Sequence, residues 1–181
     1  MSAQAGLPIV VMTNSHRLVG MLDTSGRRAA EILNDSNTEF IRLCDAVSES
    51  LTGVGGSVAL STIVISKPEI NICALLQQKH EAAARRLTAY VQKRAIAVYA
   101  LAGDVECRGI TSLRGSADPV SALKSEFESF FPVTDAKLRC GATEMSVHVA
   151  LLNRRKIIAL HFGDWIREPN VSTPAAVVAQ A

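Results

Sequence analysis

Four cysteines and four histidines are the side chains best suited to metal chemistry, and their spacing does not form a metal site. The cysteines are widely separated and include no Cys-x-x-Cys pair: Cys44, Cys73, Cys107 and Cys140. His148 and His161 fall in predicted strands of one unit, but no histidine has ligand spacing to another histidine or to a cysteine. We therefore expect no metal and no cofactor. We expect the cysteines to be reduced, buried and used as small hydrophobic residues.

A glycine-rich stretch at 53–57 is the nearest approach to a phosphate-binding loop. Val58 stands where a dinucleotide fingerprint needs another glycine, and the Gly-Lys-Ser/Thr of a Walker loop is missing. A strand-like run follows, whereas phosphate binding uses a helix N-terminus. The stretch predicts a hairpin turn. Since no serine, cysteine or threonine lies in a nucleophile-elbow context, we expect no catalytic residue and no enzyme.

Lys67 and the cluster Arg154-Arg155-Lys156 are the candidate contacts for a partner or for nucleic acid. Cations on a turn can bind phosphate or an acidic surface, although such runs are often simply solvated. Asp45 and Asp135 occupy corresponding positions in two different halves of the chain. This makes them poor candidates for a catalytic carboxylate pair, which needs proximity, and favours a structural role at strand ends or turns.

Composition narrows the class of protein further. The 181 residues are 48% hydrophobic and 4% aromatic, with 19 Lys and Arg against 17 Asp and Glu. The near-neutral balance argues against nucleic-acid binding by overall charge, and the few aromatics argue against base-stacking platforms. No cation precedes an apolar run at the N-terminus, and no apolar run is long enough to span a membrane. We therefore expect a cytoplasmic protein without a membrane span.

Short β-rich runs alternate with two helical segments. Runs at 9–13 and 17–22 flank the polar turn 14–16, a helix is predicted over 27–34, and strands follow at 40–50, 58–66 and 70–75. In the second half, Asp118 can cap a helix with Pro119 at its first position and Val120, Leu123 and Phe127 on one stripe. Apolar residues recur on one helical face between the two halves. The predicted organisation is a first unit at 8–76, a connecting helix at 77–93, a second unit at 94–166 and a flexible tail at 167–181.

The two units read alike, which predicts an internal duplication. The segment 40–46 reappears at 130–136, 17–22 is echoed at 105–110, and 63–70 is echoed at 150–157. The order is the same in both units. Gly20 and Gly109 correspond, and each is assigned a structural role because a small barrel needs a sharp bend that a Cβ would obstruct.

Two resemblances follow from these residues. Gly20-Met21-Leu22, Arg27/Arg28 with Glu31-Ile32-Leu33-Asn34, and Phe40-Ile41-x-Leu43-x-Asp45-Ala46 together resemble an uncharacterised bacterial domain family with the pattern G-x-L, R-x-x-D-x-L-N, F-x-x-L-x-D. The match covers about residues 8–76, and Glu31 stands where that family has Asp. More broadly, the order of Gly20, Leu22, Asp45-Ala46, 63–65 and Lys67 is similar to that of Sm-like small β-barrels. A helix interrupts the loop that carries the RNA-contacting Asp-x-x-Asn of Sm proteins, so this resemblance implies the barrel rather than that RNA site.

Together these patterns predict an α+β protein that is mainly antiparallel β. We expect tandem small Sm-like or SH3-like barrel units, each with one inserted helix, joined by a longer helix. The expected function is a non-enzymatic interaction or scaffold module with a protein partner or a second copy as ligand, because the edge strands of small barrels can accept a partner strand. The alternative is binding of RNA or single-stranded nucleic acid through the barrel loops and the 154–156 turn.

Overall fold

The computed structural model describes residues 6–51, 53, 55–76, 93–115 and 117–163, and within these ranges it contains ten strands. The strands are β1 (Leu7–Met12), β2 (His16–Leu22), β3 (Phe40–Ser50), β4 (Val58–Ser66), β5 (Ile72–Leu75), β6 (Arg94–Ala102), β7 (Val105–Leu113), β8 (Phe130–Cys140), β9 (Thr143–Asn153) and β10 (Ile157–Phe162). The helical segments are α1 (Ala29–Asn34), α2 (Pro119–Ser121) continuing as a π turn (Ala122–Glu126), and two 3₁₀ turns (Lys67–Glu69 and Arg154–Lys156).

All ten strands form one open sheet in the order β10-β6-β7-β8-β9-β5-β1-β2-β3-β4. Every pairing is antiparallel. The first half, β1 to β5, follows the order 5-1-2-3-4, and the second half, β6 to β10, repeats that order. The sequence hypothesis of duplication stays a prediction, because pairing order describes topology rather than descent.

The predicted α+β class and the predicted pair of separate barrels are wrong. Over the residues that the structure describes, the chain is 60% strand and 14% helix and forms a single ten-stranded sheet. The halves merge because β9, an edge strand of the second half, pairs with β5, an edge strand of the first half. The predicted connecting helix over 77–93 lies outside the described residues except for Lys93, and so does the predicted tail over 167–181.

Two hydrophobic clusters form the core, and β1 contributes to both. Ile9 and Val11 pack into the first-half cluster, whereas Val10 and Met12 pack into the second-half cluster. Successive side chains of a strand point to opposite faces, so a strand between two cores must be apolar at every position. The sequence Leu-Pro-Ile-Val-Val-Met of β1 meets that requirement.

The two aspartates flagged by the sequence lie at matching bulges. Asp45 in β3 and Asp135 in β8 have positive φ angles of 47° and 49°. Each lies where the register with the preceding strand shifts. Aspartate tolerates the left-handed region better than most residues. The expectation that they lie at strand ends or turns is wrong, because both lie inside strands, each in a different half of the sheet.

Opposite each bulge lies the corresponding glycine of the neighbouring strand. A Cβ on Gly20 would lie 3.1 Å from the carbonyl oxygen of Cys44 and 3.2 Å from the Cα of Ala46. A Cβ on Gly109 would lie 2.5 Å from Val133 Cγ1 and 2.6 Å from the Thr134 carbonyl oxygen. The bulged backbone therefore occupies the space that a side chain would need, more severely at Gly109.

The short helices sit at the ends of strands. The Asp118 side chain accepts a hydrogen bond from the Ser121 amide at 2.7 Å, and Pro119 begins α2, as predicted. Phe127 is buried and stacks on Phe131 with ring centroids 4.0 Å apart. The prediction that Val120 shares the buried stripe is wrong, because Val120 is exposed.

Substituting the bulge glycines should destabilise the protein unequally. We expect Gly109→Ala to lower the free energy of unfolding by about 2–3 kcal/mol and Gly20→Ala by about 1 kcal/mol, since overpacking forces the surrounding backbone to move. Denaturant unfolding followed by circular dichroism measures both values. Gly56→Ala is the control, because nothing lies within 4 Å of its added Cβ. Equal losses at all three positions would contradict the steric explanation.

Candidate functional site

The candidate cation Lys67 lies in the first 3₁₀ turn, where its side chain is almost completely buried. Its ammonium group donates to the Asp35 carbonyl oxygen at 2.8 Å and to Thr38 Oγ1 at 2.7 Å. Burial lowers the pKa of Lys67 from its usual value, although the nearby Asp35 charge opposes this. Lys67 thus fixes the loop between α1 and β3 and is poorly placed to meet a ligand.

The three cations of the second 3₁₀ turn differ in their environments. Arg154 donates from Nη1 to the Phe127 carbonyl oxygen at 2.7 Å, and Lys156 Nζ lies 3.3 Å from Glu69 Oε2. Arg155 is exposed. Of the four predicted contact residues, the structure brings Lys156 next to the first-half turn and leaves Arg155 facing solvent.

We expect Lys67→Met to lower the free energy of unfolding by about 1–2 kcal/mol, because the loop loses two hydrogen bonds to a charged donor. The lowered pKa of Lys67 adds a pH dependence. The unfolded chain binds the Lys67 proton more tightly than the folded protein does. Raising the pH from the pKa of Lys67 in the folded protein toward 10.5, its usual pKa, should therefore stabilise the wild type relative to the variant.

Denaturant unfolding across an alkaline pH series measures both effects. Arg155→Met is the matched control, since Arg155 is exposed. Equal stability of Lys67→Met and Arg155→Met would show that the hydrogen bonds of Lys67 contribute nothing.

The cysteines are the next candidates for reactive side chains. All four cysteines are free, but only Cys73 and Cys107 are buried as expected, and Cys44 and Cys140 are partly exposed. Burial raises the pKa of the Cys73 and Cys107 thiols to about 12, which makes them poor nucleophiles. Within the described part of the chain, no three His, Cys, Asp or Glu side chains are grouped to hold a metal ion.

His148 lies near Asp135 rather than forming a histidine pair. Its Nδ1 is 3.6 Å from Asp135 Oδ1, and both side chains are largely exposed. An exposed ion pair at this separation contributes little energy, because water competes for both groups.

The two halves of the sheet meet at a junction between β9 and β5. β9 and β5 pair in antiparallel register, with Ile72 opposite Leu152, Cys73 opposite Leu151, Ala74 opposite Ala150 and Leu75 opposite Val149. Leu151 packs into the first-half cluster, whereas Ala150 and Leu152 pack into the second-half cluster. Both halves therefore depend on these strands to complete their cores.

Two asparagines add hydrogen bonds across this junction. The Asn34 side chain, at the end of α1, donates to the Phe130 carbonyl oxygen at 2.9 Å and accepts from the Phe130 amide at 2.7 Å. Buried Asn153, at the end of β9, donates to the Ile70 carbonyl oxygen at 2.8 Å. These bonds satisfy backbone groups next to the paired strands and fix the register of one half on the other.

Among the residues that the structure describes, the outer strands β4 and β10 have one neighbour each. We call two residues equivalent when they hold the same place in the strand registers of the two halves. Val64 in β4 is equivalent to Leu151 in β9; Val64 is 58% exposed and Leu151 only 1%. Phe40 in β3 is likewise 55% exposed, whereas its equivalent Phe130 in β8 is 3% exposed. The candidate functional site is therefore the pair of sheet edges.

Comparison with protein-family models, with curated proteins and with solved structures finds no match to this chain. Among the described residues, no helix combines the length and the apolar character needed to cross a membrane. The support for the candidate site is therefore the geometry of the two edge strands.

Sequence reasoning expected edge strands to accept a partner strand, but the residues it chose for the site were cations rather than residues of those edges. The repeat between 40–46 and 130–136 already placed Phe40 and Phe130 at the same position. The repeat did not show that Phe130 is covered by the first half of the chain whereas Phe40 is exposed. The sequence signal that could have indicated the site was the pair of equivalent apolar residues, Phe40 and Phe130, rather than the charge of the turns.

Proposed function

We propose that this protein is a non-enzymatic interaction or scaffold module that works through protein–protein contacts at β4 and β10. An edge strand offers unpaired backbone N–H and C=O groups, to which a strand of a partner can add. The observation that carries the proposal is the contrast between Val64 and Leu151, which are equivalent positions on an exposed and a covered strand.

The composition of both edges supports this function. Proteins usually protect edge strands with charged residues, especially lysine, or with proline. The segment 60–65 of β4, Leu-Ser-Thr-Ile-Val-Ile, has neither, and β10, Ile-Ile-Ala-Leu-His-Phe, has neither. Ile158 in β10 is 67% exposed. Edges of this kind favour strand addition.

Val64→Lys should abolish capture of partners by the β4 edge, since a lysine on an edge strand opposes pairing and would have to be desolvated in the interface. The measurement is affinity capture with quantitative mass spectrometry, comparing wild type and variant at matched thermal stability. Val120→Lys is the matched control, because Val120 is an exposed valine in α2, outside the sheet. We expect Val120→Lys to retain the partners of the wild type.

Identical captured proteins for wild type, Val64→Lys and Val120→Lys would contradict an interaction function for the β4 edge. Ile158→Lys tests the β10 edge in the same way. Loss of partners with both edge variants but not with the control would support the proposal for both strands.

The nucleic-acid alternative has less support, because Lys67, Arg154 and Lys156 already contact groups of this chain. We expect no micromolar binding to single-stranded RNA in a filter-binding titration at low salt. Binding that weakens steeply as salt is raised would favour the alternative, since phosphate contacts release counterions. In that case, loss of binding in Arg155→Gln would assign it to the exposed arginine of the second 3₁₀ turn.

A further inference from the structure

The junction inside the chain specifies which strand each free edge fits. β5 is the fifth strand of the first half and pairs with β1, just as β10 is the fifth strand of the second half and pairs with β6. β9 and β4 are the fourth strands of their halves. Pairing of β9 with β5 therefore joins a fourth strand to a fifth strand, and the free edges are the remaining fourth strand, β4, and the remaining fifth strand, β10.

We propose that copies of this protein assemble head to tail, with β4 of one copy paired to β10 of the next in the register of the internal junction. This inference rests on the proposed function and names its partner as a second copy of the chain. Transferring the internal register to equivalent residues gives the expected pairs Ile65 with Ala159, Val64 with Leu160, Ile63 with His161 and Thr62 with Phe162.

The first half already carries the apolar side chains that such a contact would insert into the next copy. At the internal junction, the second half inserts Phe130 and Leu151 into the first-half cluster. Their equivalents Phe40 and Val64 are large, apolar and mostly exposed. Pairing with the next copy would bury these two side chains, so the hydrophobic effect favours association.

The receiving side is present in the second half. Val10 and Met12 of β1 are buried because that face of β1 covers the core of the other half. Tyr99 and Leu101 of β6 hold the equivalent places but are only partly buried. On the opposite face, Leu160 of β10 is also partly buried, whereas its equivalent Cys73 is fully buried. A first half from another copy would cover both faces in the same way.

The charges at the turns are compatible with continued assembly. Lys156 and Glu69 occupy equivalent positions and form an ion pair across the internal junction. In a head-to-tail contact, Glu69 of one copy would face Lys156 of the next. The turns would then alternate in sign around the assembly, and no like charges would meet.

One difference predicts that the contact between copies is weaker than the internal junction. Asn153 donates to the Ile70 carbonyl oxygen, whereas its equivalent Ser66 has a shorter side chain without an amide. The contact joins two different surfaces, and such heterologous pairing yields closed rings or filaments. Both products support the proposal.

Cysteine cross-linking between two differently tagged variants tests the partner, the direction and the register. Val64→Cys and Leu160→Cys are made separately in a Cys44→Ser, Cys140→Ser background, which leaves only the buried thiols of Cys73 and Cys107. After mixing and mild oxidation with oxidised glutathione, we expect a disulfide-linked dimer that contains one copy of each variant. Facing residues on paired strands have Cβ atoms close enough for this bond.

Two controls make the result specific. Val64→Cys oxidised alone should give no dimer, because head-to-tail pairing never brings two copies of β4 together. Val64→Cys mixed with His161→Cys should also fail, because residue 161 is expected opposite Ile63 and on the other face. Dimers of Val64→Cys alone would overturn the head-to-tail arrangement, and efficient linkage to residue 161 would overturn the register.

Light scattering of the untagged wild type provides the independent measurement. We expect a mass of several chains that falls to the 19.3 kDa of one chain in Val64→Lys and is unchanged in Val120→Lys. A wild type that is monomeric at about 100 μM and gives no mixed dimer overturns self-assembly. In that case, loss of other captured proteins by Val64→Lys would still support the interaction function without self-assembly. If Val64→Lys loses no captured protein, both the interaction function and self-assembly fail.

Discussion

Burial on both faces in the middle of the sheet is the constraint that holds this chain together. β9, β5 and β1 lie there and supply side chains to both hydrophobic clusters. Where both faces are covered, as in β1 and at the end of β9, a strand has no face for polar residues, which explains why Val10 and Val11 are both buried although they are adjacent in sequence. Neither cluster is complete without side chains from the other half.

The same constraint explains why the two ends of the sheet differ from its middle. β4 and β10 repeat the pairing order of β9 and β5, but within the described ranges they lack a second neighbour. Their sequences retain the apolar residues of covered strands, as Val64 and Leu160 show. An isolated sheet of this kind would expose hydrophobic groups and unpaired backbone at both ends, a combination associated with strand addition or aggregation.

Polar side chains near the junction are mostly used for satisfying backbone groups. Asn34, Lys67 and Asn153 each bond to main-chain oxygens at the ends of strands or turns. Such groups lose water when two halves of a sheet pack together, and each needs a protein partner in its place. This demand accounts for residues that, by type alone, resemble ligand-binding groups.

Much of the local structure followed from the sequence. Alternation and turn residues located the five strands of the first half, the Asp118-Pro119 pair marked the start of α2, and the repeated Gly20 and Gly109 marked the bulges. The sequence did not reveal which strands lie at the edges, because the apolar pattern of a strand specifies its buried face and does not specify its neighbour. The hydrogen bonds that join strands are made by the backbone, which is nearly the same for every residue. Only the tertiary structure therefore decided that β9 pairs with β5, and that β4 and β10 remain at the edges.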